Sequence, residues 1–151
     1  MTTTLSSYVH GASNQPLLGD TVGGLLERVA ATHPERPALV ARAQNVRMNY
    51  RQFHDEVERV AAGLLVLGLQ RGERIGIWAP NRAEWVVLQF AAPMAGLILV
   101  NINPAYRTHE LEYSLNKVGC RALVLPRRFK TSQYLAMLAE LAPELAAGSP
   151  G

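Results

Sequence analysis

The sequence predicts an α/β fold: an antiparallel hairpin near the amino terminus, followed by βαβ units that form part of a parallel sheet flanked by helices. Three observations carry this. From Tyr50 onward, stretches with apolar residues at every third or fourth position alternate with short continuous apolar runs, in units of about 25 residues, the pattern of strand–helix–strand units. The runs Arg74 to Ala79, Leu97 to Ile102 and Arg121 to Leu125 are continuous rather than alternating, as in strands covered on both faces. Ahead of them, Pro37 to Ala43 and Val46 to Tyr50 are apolar-rich and joined by Gln44-Asn45, which is hairpin spacing.

Taken in order, Met1 to Asp20 is polar and expected to be a mobile lead. Thr21 to Thr32 then sets Val22, Leu25, Leu26 and Val29 at helical spacing, and His33-Pro34 ends that helix. After the hairpin, Phe53, Val57, Val60, Ala61, Leu64 and Leu65 form one apolar stripe between Tyr50 and Leu67, with Gln52, Asp55, Glu56, Glu58 and Arg59 opposite. Gly68 stops the helix, and the turn Gln70-Arg71-Gly72-Glu73 leads into the first buried strand.

Asn81 is placed to cap the next helix, with Glu84 three residues on as its capping-box partner. That helix, Arg82 to about Ala95, is apolar nearly all round and therefore needs cover on most sides; the second buried strand follows it. Thr108 opens a third helix with Glu110 and Glu112 in its first turn, Lys117 in its last and Gly119 beyond, charges that complement the macrodipole. After the third strand, a final helix is expected over Ser132 to Leu141, with Leu135, Leu138 and Leu141 aligned, and residues 143–151 read as a truncated loop or tail.

The chain has 151 residues, of which 48% are hydrophobic, enough for one domain with a sizeable core. A net charge of +3 without a basic stripe interleaved with aromatics argues against a nucleic-acid partner. The charge-free stretch Trp85 to Tyr106 is broken by Pro93, Gly96, Asn101, Asn103 and Pro104, so a transmembrane span is not expected. Cys120 is the only cysteine and reads as a small buried hydrophobe, with a reactive thiol as the alternative. No secretory or Arg-rich leader is written in Met1 to Asp20, which predicts cytoplasmic residence and leaves peripheral membrane association open.

Local chemistry is sparse. Neither a Walker loop nor a G-x-G-x-x-G after a strand is present, and His109-Glu110-Leu111-Glu112-Tyr113 has Tyr where a zinc-binding helix needs its second His. No nucleophile elbow or paired carboxylates stand out, so the expectation is no catalytic, cofactor-binding or metal-binding residue in this chain. In an open parallel sheet ligands gather beyond the carboxyl ends of the strands, here Pro80-Asn81, Asn103-Pro104-Ala105-Tyr106 and Pro126-Arg127-Arg128. Arg107, Arg127 and Arg128 are there either as anion-binding groups or as solvated surface; Trp78 and Tyr106 are either packing residues or stacking platforms.

Met48-Asn49-Tyr50-Arg51-Gln52-Phe53 and Leu67 to Ile77 resemble the early segments of AMP-forming, adenylate-forming enzymes. Pro80-Asn81-Arg82-Ala83-Glu84-Trp85 and Met94 to Arg107, with its Asn-Ile-Asn-Pro-Ala-Tyr-Arg run, resemble the form used by medium- and long-chain fatty acyl-CoA synthetases. The resemblance covers Thr21 to Leu141 and implies an incomplete N-terminal domain of the adenylate-forming fold, with residues 21–142 as a partial AMP-binding domain. It implies a ligase that uses ATP, Mg2+ and coenzyme A with a fatty acid. It also implies that the working residues lie in later segments: a Ser/Thr/Gly-rich phosphate loop, an aromatic-Gly-x-Thr-Glu motif, a ribose-binding Asp and a Lys on a mobile domain. None of these is found between Met1 and Gly151. The chain is therefore expected to be a fragment inactive alone, or else an interaction module or one half of a split synthetase, with self-association through uncovered apolar faces.

Overall fold

The computed structural model describes residues 14–15 and 17–147. Most of the expected mobile lead lies outside these residues; Leu17 to Asp20 run without regular structure into α1 (Val22–Thr32), whose N-terminus is capped by the Thr21 hydroxyl accepting from the Gly24 N–H at 3.1 Å.

The hairpin forms from β1 (Pro37–Ala41) and β2 (Val46–Asn49), antiparallel, with Leu39 opposite Met48 and Ala41 opposite Val46. Its connection is longer than the sequence pattern suggests. A 3-10 turn over Arg42–Gln44 is closed by Asn45 in the left-handed region at φ +52°, a conformation Asn tolerates, so Ala43 belongs to the turn and not to the strand. Asn49 then caps α2 (Tyr50–Val66): its carboxamide oxygen accepts from the Gln52 N–H at 2.9 Å, and Gln52 Oε1 accepts from the Asn49 N–H at 3.0 Å. Phe53, Val57, Ala61 and Leu64 are the buried face of α2, as their spacing predicts.

A parallel sheet follows, built from β3 (Arg74–Trp78), β4 (Ile98–Ile102) and β5 (Cys120–Val124) in the spatial order β4-β3-β5. The connections are α3 (Ala83–Met94) between β3 and β4, and α4 (Thr108–Val118) between β4 and β5; α5 (Tyr134–Leu141) comes after β5. Pro93 does not end α3, because it sits exposed in the last turn, and the helix runs on to Met94. Residues 143–147 form a 3-10 turn where a loop was expected.

Alternation along β3 separates two layers. Ile75 and Ile77 point to one face, where Leu64, Leu69, Leu88, Ala92 and Leu97 enclose them under α2 and α3. Trp78 points to the other, against Ile102, Leu111, Tyr134 and Met137 under α4 and α5. A third cluster, Leu26, Phe53, Val57, Ala61, Val87 and Ala91, ties α1 and the hairpin to the first layer, with Phe53 edge-on to Phe90 at 5.3 Å. At Gly76 a Cβ would lie 2.9 Å from Leu123 Cδ1 and 3.1 Å from Ile102 Cδ1, so the absence of a side chain lets β4 and β5 pack across the central strand. Among the described residues no helix is long and apolar enough to cross a membrane.

Candidate functional site

The order β4-β3-β5 means that the two connections step in opposite directions: β3 to β4 one way, then β4 back across β3 to β5. Helices α3 and α4 accordingly cover opposite faces. Such a reversal opens a crevice beyond the carboxyl ends of the strands that flank it, here β3 and β5. A cleft of about 420 Å³ lies there, between Ala79, Arg82, Glu84 and Trp85 on one wall and Pro126, Arg127 and Arg128 on the other. Beneath it an apolar groove of about 400 Å³ runs between the hairpin, α2, α3 and the outer edge of β5, and the two share Glu84 and Val124.

The rim of the cleft is held by one polar knot. Arg82 donates to both carboxylate oxygens of Glu84, at 3.2 and 2.9 Å, and Gln44 Nε2 donates to Glu84 Oε2 at 2.8 Å. The Arg82 hydrogen bond foremost holds the Glu84 carboxyl down at about 2; burial opposes it, and the Gln44 hydrogen bond adds a smaller lowering. Gln44 Oε1 meanwhile accepts from the Ala83 N–H at 2.7 Å. This corrects the expected cap: Asn81 is exposed and lies outside the helix, Arg82 is the N-cap position without a side-chain cap bond, and Gln44 satisfies the first free N–H from the hairpin turn. Glu84, expected to reach back to an Asn81 cap, is occupied by Arg82 and Gln44.

Of the arginines singled out in the sequence, Arg127 and Arg128 line the cleft and form no ion pair among the described residues. Arg107 is not one of its lining residues: its guanidinium donates to Ser132 Oγ at 3.1 Å, and its backbone N–H donates to Glu110 at 3.0 Å. Trp78 is wholly buried and Tyr106 half-buried against the same cluster, so both are packing residues. Trp78 also donates from Nε1 to the Asn103 carbonyl at 3.1 Å and stacks on Tyr134 at 3.9 Å, while Tyr134 donates its hydroxyl to the Pro104 carbonyl at 2.7 Å. Two aromatic donors thus fix consecutive carbonyls of the Asn103-Pro104 turn. Tyr134 was missed because the leucines of α5 suggested a different stripe; Tyr134 and Met137 are the buried pair, and Leu135 is exposed. Burial pushes the Tyr134 hydroxyl up, and burial likewise pushes up the half-buried Cys120 thiol, which makes it a poor nucleophile.

The chemistry of these donors does not by itself fit a site for ATP, Mg2+ or coenzyme A. The carboxylate of the cleft, Glu84, is already committed to Arg82 and Gln44. The group of potential cation ligands among the described residues is His54, Asp55 and Glu58 on α2, where the two acids are exposed and none of the three lines the cleft. What the arrangement provides is a rigid strand-end platform with two arginines on one wall.

The AMP-binding enzyme family matches residues 26–150. The chain belongs to that family. It is 49% identical to the mitochondrial medium-chain acyl-CoA ligase of Macaca fascicularis over 145 residues, 96% of this chain and 24% of that protein. The mouse mitochondrial medium-chain acyl-CoA ligase is 46% identical over the same shares. Among solved structures, a Mycobacterium tuberculosis fatty acyl CoA synthetase superposes with a TM-score of 0.70 at 26% identity, over 85% of this chain and 24% of that one. The chain therefore spans about a quarter of the length of these relatives, and its α/β fold is that of the N-terminal domains of adenylate-forming enzymes.

These relatives overturn the expectation of cytoplasmic residence, since the ligases that this chain resembles are mitochondrial by name. That expectation rested on the lack of an Arg-rich leader in Met1 to Asp20. An absence at the start of a chain that matches one quarter of its relatives carries no address.

Proposed function

We propose that this chain supplies the amino-terminal part of a medium-chain acyl-CoA ligase, as the scaffold of its AMP-binding domain over residues 21–142, and performs no turnover by itself. The observation that carries the reading is the 49% identity to the macaque ligase across 96% of this chain. The whole ligase would join a medium-chain fatty acid to coenzyme A in two displacements: the carboxylate attacks the α-phosphorus of Mg2+-bound ATP and pyrophosphate leaves, then the thiol attacks the acyl carbonyl and AMP leaves. Fatty acid, ATP and coenzyme A are thus partners of the completed protein, and fatty acid metabolism is its setting.

The contribution of these residues is positional. The Trp78–Tyr134 pair fixes the Asn103-Pro104 turn, and the Gln44–Glu84–Arg82 knot fixes the start of α3, so the strand ends present a preorganised surface. The test is ATP–pyrophosphate exchange with octanoate. The 151-residue chain alone is expected to show none, and a chimera in which it replaces the corresponding quarter of the macaque ligase is expected to exchange. Exchange by the chain alone, or an inert but folded chimera, would refute the reading.

A further inference from the structure

We draw no further inference here: the strongest candidate, the side-chain cluster of His54, Asp55 and Glu58 on α2, whose ligand atoms lie within 4.8 Å of one another, is two exposed carboxylates beside one imidazole, and no second observation among the described residues points to a ligand there.

Discussion

β3 and β5 are each five residues long, lie side by side in one sheet and carry similar apolar runs, yet their surroundings differ sharply. In β3, every residue from Ile75 to Trp78 is buried, whereas β5 has no buried residue and Val124 lies open at its end. The difference is one of neighbours, because among the described residues β3 has a strand on either side and a helix layer on both faces, while β5 has one partner strand and an open groove. An apolar run therefore reports the environment a strand has in the finished sheet, and β5 is composed as an interior strand that stands at an edge.

That contrast can be broken most severely at the centre. Trp78→Ala removes a wholly buried ring, its stack on Tyr134 and its bond to the Asn103 carbonyl, and is expected to cost about 3–5 kcal/mol in urea unfolding. Gly76→Val should cost about 1–3 kcal/mol, because Leu123 Cδ1 and Ile102 Cδ1 stand 2.9 and 3.1 Å from where its Cβ would lie, closer than ordinary van der Waals contact. Val124→Ala, in the same sheet, is expected to change the unfolding free energy by no more than about 0.5 kcal/mol, since the position is open. A loss at Val124 comparable with that at Trp78 would mean that β5 is covered as β3 is.

The smallest effect concerns the rim. With the Glu84 carboxyl held at about 2 in the folded chain, below its usual value of 4.5, its contribution is complete above pH 4.5 and is lost as the pH falls towards 2. Glu84→Gln should therefore flatten the acid limb of the stability profile in that window and leave neutral stability within about 0.5 kcal/mol, because the pair is exposed and screened by solvent. A variant profile parallel to that of the parent chain down to pH 2 would contradict the assigned interaction.

Local pattern made much of this fold legible. The stripe from Phe53 to Leu64 and the three continuous strands follow from spacing, because each depends on neighbours within a few positions. The strand order did not, since nothing in β3, β4 or β5 records which edge receives which partner. The site was read in part for the same reason. Arg127 and Arg128 reach the cleft from the end of a strand, as the rule for open sheets anticipates, but Arg107 bends to Ser132 and the cap of α3 comes from Gln44 in the hairpin turn. A contact made across 39 residues leaves no periodicity to find.

Gln44 carries a consequence for motion. One end of its carboxamide holds the Ala83 N–H and the other holds the Glu84 carboxylate, so the hairpin turn acts as a splint on the first turn of α3. Opening of the turn at Arg42–Gln44 would withdraw both bonds, so the two segments are coupled through this one side chain. In hydrogen exchange they should behave as one cooperative unit, which makes the rigidity of the cleft rim a property of a hairpin that does not belong to the parallel sheet.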